Sequence, residues 1–301
     1  MIKKHSQKQR EERITALLMI TPALILLTVF VIVPLVMAIS RSFYDYHAGG
    51  ISDYVGFENY ISILKNTIFF QSIFNVLKMS LVITVLQIVL SFLFANALLR
   101  VKGKLSVFSR TIIYLPFLIS GIVVAVIFTL LTTFNGGIIN AFLSALNIDS
   151  IAFNNDTFWS PVSIILPTIW VGFGYYALVM YAGLINIPKA YFEAAQMDGA
   201  GFLKTTFWIT IPCMKNYFIL LIVTLIVANL QMFEIPLIMT NGQPSNQTMT
   251  PVLYLIHSRS NGNITDSQIT AAAILIMIII LLINSTIFYL FKTKKKDRWE
   301  M

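Results

Sequence analysis

The best candidate for nucleotide chemistry in this chain of 301 residues is the segment Gly199–Thr205, in which two glycines precede the pair Lys204-Thr205. A P-loop needs one glycine immediately before the lysine and another five residues earlier, so that backbone N–H groups can surround the phosphates. Leu203 holds the first of these positions and Asp198 holds the second. The apolar run before them does not predict the strand that a P-loop follows. The segment therefore does not predict ATP binding by this chain.

The residue types used in hydrolytic and metal chemistry are scattered. The three histidines lie at positions 5, 47 and 257, and Cys213 is the single cysteine. This spacing forms no Ser/His/Asp or Cys/His nucleophilic set. It also excludes a disulfide or a cysteine-based metal site within the chain. We expect no catalytic residue and no metal, and we therefore do not expect an enzyme.

Polar and aromatic residues inside two apolar stretches are the remaining candidates. Burying a polar group in lipid is costly, so such residues are functional hypotheses by default. Aromatic faces with amides and hydroxyls suit a polyol better than an ion. The alternatives are hydrogen bonding between helices and plain packing. The residues are Trp170, Gly172, Phe173, Gly174, Tyr175 and Tyr176 in one stretch, and Asn229, Gln231 and Glu234 in the next.

The chain that carries these residues has the composition of a membrane protein. Apolar residues make up 57% of the chain and charged residues 11%, against about a quarter charged in soluble domains. Lipid offers the backbone no hydrogen-bond partner, so each long apolar run is predicted to be a helix. We predict an all-α integral membrane protein, with residues 1–301 forming one transmembrane domain. Its six helices are placed near residues 14–40, 74–99, 111–134, 161–185, 217–239 and 269–291.

The distribution of basic residues predicts the orientation. The net charge is +8, and most lysines and arginines cluster in one alternate set of connections and at both ends of the chain. Such residues mark the cytoplasmic side. Both termini and the segment 188–212 are therefore predicted to be cytoplasmic. Because the basic residues flank spans and form no aromatic-interleaved face, we do not expect nucleic acid as a partner.

A short polar segment at residues 188–212 interrupts the apolar runs. Pro188 suits the start of a helix, and the glycines Gly199 and Gly201 are predicted to end it before a second short helix. The small residues Ala194, Ala195 and Ala200 would let another surface approach, while Glu193 and Asp198 carry negative charge. The pattern is typical of a rigid helix–Gly–helix unit that docks in a cleft. An ordinary amphipathic loop is the alternative.

This segment resembles the EAA loop of binding-protein-dependent ABC importer permeases. The resemblance rests on Glu193-Ala194-Ala195, Asp198-Gly199-Ala200, Phe207, Ile209, Ile211 and Pro212. Other segments resemble the carbohydrate-uptake branch, of the maltose and glycerol-3-phosphate type, so that the resemblance covers nearly the whole chain. They are Thr21-Pro22-Ala23, Pro34, Ser42-Phe43, Val55-Gly56-Phe57-Glu58-Asn59-Tyr60, Leu115-Pro116 and Thr240-Asn241-Gly242-Gln243-Pro244, where Gln243 replaces the usual glycine.

The resemblance implies a division of labour between chains. The EAA loop would supply coupling helices that sit in a groove of a cytoplasmic ATPase dimer, with Glu193 paired to a basic residue there and Gly199 setting the bend. ATP and Mg²⁺ would bind to that ATPase, so no cofactor is expected in this chain. A second, homologous permease would complete the pathway in the bacterial inner or plasma membrane, and an extracytoplasmic solute-binding protein would deliver a sugar.

The resemblance also implies positions for the substrate pathway. Alignment outward from the EAA motif places Gly172, Tyr175 and Asn229 where the substrate site is lined in maltose-type relatives, and Phe117 where an aromatic residue lines it. We add Gln231 and Glu234 on their polarity. Glu234 faces either the pathway or the outer interface. Leu225 and Met232 replace polar residue types, which leaves the identity of the sugar open.

Two alternative functions remain from the residues alone. A secondary transporter of a small polar solute, driven by an ion gradient, would need charged residues at mid-membrane and inverted repeats. The predicted spans hold almost no such charge. A structural or adaptor membrane protein is the other alternative, but it gives no reason for the EAA pattern.

Overall fold

The computed structural model describes residues 2–46, 52–262 and 264–291, and these are mainly helical. A small antiparallel hairpin pairs β1 (Tyr44–Tyr46) with β2 (Ser52–Tyr54). The helices are α1 Ile2–Leu27, α2 Val33–Arg41, α3 Glu58–Leu64, α4 Thr67–Arg100, α5 Gly103–Tyr114, α6 Gly121–Thr132, α7 Ile138–Ala145, α8 Trp159–Ile185, α9 Lys189–Met197, α10 Phe202–Thr205, α11 Ile211–Cys213, α12 Lys215–Leu230, α13 Glu234–Met239, α14 Pro251–Asn261 and α15 Asp266–Phe291.

Within the described residues, five helical stretches are long and apolar enough to cross a membrane, and α5 with α6 makes a sixth if that bent pair is one span. The first stretch, Ile14–Arg41, runs through α1, a π-helical turn at Thr28–Ile32 and α2. Helix α4 begins at Thr67, seven residues before the predicted start at residue 74. Asn66 causes this earlier start, because its side-chain oxygen accepts hydrogen bonds from the N–H groups of Ile68 and Phe69.

The third predicted span, 111–134, is two helices rather than one. Helix α5 continues into a 3₁₀ turn at Leu115–Leu118, and α6 leaves that turn at 94°. Pro116 has no N–H to donate, and Ile119 and Ser120 have extended backbone angles, with ψ of 136° and 139°. The break therefore follows from proline and the two extended residues after it.

The fifth predicted span, 217–239, is also interrupted. Helix α12 ends at Leu230, and α13 restarts at Glu234 after Phe233 adopts φ of −148°. Pro236 lies in the first turn of α13, where a missing N–H leaves no helical acceptor unpaired. Two broken spans thus place helix ends inside the apolar part of the chain.

The described residues form two compact units. One unit contains the residues up to Lys65 with Ser258–Leu275. In it, Asn59 donates to the carbonyls of Ser42 (2.9 Å) and Tyr44 (3.0 Å), and the hydroxyls of Ser42 and Tyr60 are 2.6 Å apart. The buried amide of Asn59 therefore joins α3 to the end of α2 and to β1.

The other unit, Asn66–His257 with the residues from Ile276, is centred on the contact of α4 with α8. The buried face of α4 is rich in polar and small residues, while large apolar side chains are exposed on its other faces. This distribution is expected in lipid, where helices associate through close packing and interhelical hydrogen bonds. The buried polar and small residues of α4 are Ser72, Asn75, Ser80, Thr84, Gln87, Ser91 and Ala95.

Candidate functional site

Helix α9 ends in a Schellman motif centred on Gly199. The N–H of Ala200 donates to the carbonyl of Ala195 (2.9 Å), and the N–H of Gly199 donates to the carbonyl of Gln196 (3.1 Å). This pairing needs a left-handed residue after the helix, and Gly199 has φ of +70°. The Glu-Ala-Ala…Asp-Gly spacing thus encodes a sharp helix end.

The segment after Gly199 is helical in three short pieces. Helix α10 starts after Gly201, a π-helical turn covers Thr206–Thr210, and α11 contains the exposed Pro212 as its second residue. Helix α12, the first part of the fifth span, then begins at Lys215, after Met214. A π-helical turn of this kind often marks a functional position.

The surface of residues 188–212 exposes both charge and large apolar side chains. Glu193, Ala194, Asp198 and Gly199 are exposed, whereas Ala195 is buried and Ala200 half-buried. Met197 is 89% exposed, and exposed apolar surface with a polar rim is typical of a protein-binding site. An adjoining concavity of about 470 Å³ is lined by Tyr191, Ala194, Ala195, Asp198, Ala200, Lys204, Thr205, Trp208, Ile209 and Cys213.

One face of helix α9 packs against the buried core through Phe192. Phe192 packs against a buried cluster that includes Leu184, Ile187 and Met214. This cluster continues into α4, α8 and α12, so Phe192 connects α9 to a core that three spanning helices share. Phe192 was not among the predicted site residues. The sequence signal for it is an apolar residue beside the exposed Glu193–Ala194 edge of a short helix.

The aromatic residues predicted for the pathway come together at the break in the third span. The rings of Phe117 and Tyr175 stack with centroids 4.7 Å apart and planes 12° apart. Tyr114 and Tyr176 extend the group, with centroids 5.6 Å from Phe117 and 5.1 Å from Tyr175. Phe117 is 39% exposed, so an aromatic face is accessible there.

Two glycines allow α8 to approach its neighbours closely. A Cβ at Gly174 would overlap the backbone carbonyl of Ile113 in α5, and a Cβ at Gly172 would overlap the side-chain amide of Gln87 in α4. The Gln87 amide donates to the carbonyls of Thr168 (3.2 Å) and Ile169 (3.4 Å), in the turn before Gly172. Gln87 was not among the predicted site residues, although a glutamine inside an apolar run is itself a signal of function.

The polar residues of the fifth span have different surroundings. Asn229 is buried, and its amide donates to the hydroxyl of Thr84 in α4 over 3.3 Å. Gln231 is exposed at the end of α12. Glu234 begins α13 with its carboxylate directly against Gly121, the first residue of α6. Phe117 therefore lies against Tyr175, and Glu234 lies at the break in the third span. Asn229 contacts α4 instead.

Replacing Asn229 with alanine is expected to reduce uptake by roughly two- to tenfold, the equivalent of one hydrogen bond, while assembly is preserved. Thr84→Ala is the matched control, because it removes the same interhelical bond but leaves the Asn229 amide in place. Transport kinetics and copurification of the complex measure both effects. An equal loss in Thr84→Ala would assign the effect to helix packing and contradict a place for Asn229 in the pathway.

The chain is similar in sequence to known membrane transport proteins. Residues 87–296 match the family model of the binding-protein-dependent transport system inner membrane component. The sulfoquinovosyl glycerol transport system permease protein SmoG of Agrobacterium fabrum is 27% identical over 285 residues, covering 94% of this chain and 92% of that protein. The trehalose/maltose transport system permease protein MalF of Thermococcus litoralis is 28% identical over 287 residues, 94% of each protein.

A solved structure has the same fold. A chain of the bacterial alginate ABC transporter, crystallised with an alginate pentasaccharide-bound periplasmic protein, superimposes with a TM-score of 0.80 at 24% identity, over 95% of this chain and 96% of that one. The predicted all-α membrane fold is confirmed. Since the family model covers more than two thirds of the sequence, the chain belongs to the binding-protein-dependent transport system inner membrane components, and it is a multi-pass permease subunit rather than an enzyme.

Proposed function

We propose that this chain forms half of the translocation pathway of a bacterial ATP-driven carbohydrate importer and couples that pathway to a cytoplasmic ATPase. The observation that carries the proposal is the segment 188–212. Its exposed helix α9 is ended by Gly199 and is packed through Phe192 onto the spanning helices. A rigid exposed helix with this support suits the transmission of force from a partner.

The proposed coupling acts through contacts of named residues. The exposed Glu193–Ala194 edge and Gly199 would contact a groove of the ATPase, with Asp198 and Ala200 at its border. The buried Ala195 and the exposed Pro212 would shape the segment. Movement of α9 would pass through Phe192 to Leu184 of α8 and Met214 before α12, which belong to one buried cluster. Those helices carry Tyr175 and Asn229, so a rigid-body shift would reach the pathway.

The chemistry of the pathway supports a sugar as substrate. The stacked rings of Phe117 and Tyr175 offer an apolar face, and Gln231 and Glu234 offer polar groups beside the breaks. Gly172 would hold the position of α8 against Gln87. The names of the relatives SmoG and MalF, which refer to sulfoquinovosyl glycerol and to trehalose and maltose, support carbohydrate as the class of substrate.

The proposed assembly has partners on both sides of the membrane. It contains a second homologous permease, two ATPase copies that bind ATP and Mg²⁺, and an extracytoplasmic solute-binding protein. The alginate transporter of the same fold was solved with a periplasmic protein bound, which supports the last. The positions of the basic residues support a cytoplasmic location for both termini and for segment 188–212. Family membership argues against the alternative of an ion-gradient-driven transporter.

Uptake profiling of a deletion strain tests the proposal. Cells that lack this chain are expected to lose accumulation of one or a few labelled oligosaccharides, and a plasmid copy is expected to restore it. Copurification on the tagged chain should recover an ATPase and a second permease. Unchanged uptake of every mono- and oligosaccharide in the deletion strain would contradict carbohydrate transport.

A further inference from the structure

Glu234 is the one acidic residue in the described spanning helices α4, α5–α6, α8 and α12–α13. It lies at the break of the fifth span, is half-buried, and has its carboxylate against Gly121 at the break of the third span. The two interruptions of otherwise apolar spans therefore meet at a carboxylate.

The carboxylate of Glu234 lies against the start of helix α6. Gly121 begins α6, a helix of 12 residues whose N-cap Ser120 makes no side-chain cap hydrogen bond. The first N–H groups of a helix lack intrahelical acceptors, and the helix dipole is positive at that end. A negative charge is stabilised there by the helix start.

The basic residues in the interior of these spans are engaged with other groups. The Lys78 ammonium lies 4.4 Å from the centre of the Phe74 ring. The Arg110 guanidinium lies 5.4 Å from the centre of the Tyr181 ring, and its Nε donates to the carbonyl of Ser106 over 3.1 Å. Neither contact involves Glu234, so neither of these two cations is paired with its carboxylate.

The carboxylate shares the break with the accessible aromatic face. Phe117 precedes Gly121 by four residues and stacks on Tyr175, and the exposed Gln231 precedes Glu234 by three. A carboxylate accepts strong charge-assisted hydrogen bonds from sugar hydroxyls. It repels a sugar that carries its own carboxylate, sulfonate or phosphate.

We propose that Glu234 selects the substrate class of this permease, admitting neutral glycosides and excluding anionic ones. The inference rests on the proposed function and narrows it. Two like charges about 6 Å apart in a medium of effective dielectric constant about 20 repel strongly enough to change an equilibrium by roughly a hundredfold. Discrimination by the permease is therefore additional to any selection by a binding protein.

The test uses the complete importer, purified with its binding protein and reconstituted in proteoliposomes that contain ATP. The neutral probes are labelled trehalose, maltose and lactose, and the anionic probes are maltose 6′-phosphate and digalacturonate. Wild-type importer is expected to take up a neutral probe at least tenfold faster than any anionic probe. Glu234→Gln is expected to reduce that ratio at least tenfold, and Glu234→Asp, which keeps the charge, is expected to retain the preference.

Asp149→Asn is the matched control, because it removes one negative charge from an exposed position in the connection between α7 and α8. It is expected to leave the ratio unchanged. Uptake of an anionic probe at the neutral rate by wild type, or an unchanged ratio in Glu234→Gln, would overturn the inference while leaving carbohydrate transport intact. Uptake of no probe, together with unchanged uptake of every sugar in the deletion strain, would instead contradict the proposed function on which the inference rests.

Discussion

Importers that carry Gly199→Asp are expected to lose about nine tenths or more of their uptake while the chain stays inserted in the membrane. Gly199 has φ of +70°, where a side chain costs roughly 1–2 kcal/mol, and about 1.4 kcal/mol is tenfold in an equilibrium. The substitution also adds negative charge next to Asp198. A Cβ at Gly199 meets no atom within 4 Å, so the interior of the chain is not disturbed.

Two further glycines separate the causes of this effect. Gly56→Asp places the same residue at φ of +57°, where the Cβ meets no atom within 4 Å. It therefore introduces the same backbone strain at a position distant in sequence from residues 188–212. Gly201→Asp repeats the added charge in the segment, but at φ of −71°. Uptake, ATP hydrolysis and copurification of the ATPase are the measurements. We expect near-normal uptake in Gly56→Asp and a smaller loss in Gly201→Asp.

A companion variant, Glu193→Ala, is expected to weaken recovery of the ATPase without loss of the permease from the membrane. Normal ATPase recovery and normal uptake in both Glu193→Ala and Gly199→Asp would remove segment 188–212 from the coupling pathway. An equal loss in Gly56→Asp would show that backbone strain anywhere in the chain is sufficient.

Gly174→Ala is expected to have the largest effect on stability. Its Cβ would overlap the carbonyl of Ile113, and because that atom belongs to the backbone of α5, the two helices must move apart. Overpacking of this kind costs about 1–3 kcal/mol. Gly172→Ala is the matched substitution two residues earlier, where the Cβ would meet the side-chain amide of Gln87. A side chain can rotate away, at the cost of its bonds to Thr168 and Ile169.

Thermal unfolding of the detergent-purified complex and the yield of inserted protein measure both variants. We expect a clearly lower midpoint and yield for Gly174→Ala than for Gly172→Ala. Equal stability of Gly174→Ala and wild type would contradict the close approach of α5 and α8. Retained stability with lost uptake in Gly172→Ala would place Gln87 and Gly172 in the positioning of Tyr175.

The end of α9 is the part of the candidate site that sequence predicts best. Its signals are local, since a Schellman motif depends on a glycine at a set distance from the helix and on backbone bonds within six residues. Length and composition also predict where apolar runs lie, because they determine which segments can cross lipid.

The apolar pattern of the sequence did not predict the breaks in the third and fifth spans. Apolar periodicity is weak in lipid, where residues facing lipid and residues facing protein are both apolar, so the run 111–134 gave one predicted helix in spite of Pro116. The contact of Glu234 with Gly121 depends on both breaks together and on the packing of α13 against α6. The interhelical bonds of Gln87 and Asn229 likewise depend on the approach of α4, which no local pattern encodes.

ATP-dependent uptake by the reconstituted importer tests the central claim most directly. Proteoliposomes are loaded with ATP or with a non-hydrolysable analogue, and labelled neutral disaccharide is supplied outside with the binding protein, in the presence or absence of ionophores. We predict uptake that requires hydrolysable ATP, continues when ionophores collapse the proton and sodium gradients, and is lost in Gly199→Asp. Uptake that proceeds without ATP and collapses with the ion gradients would contradict it.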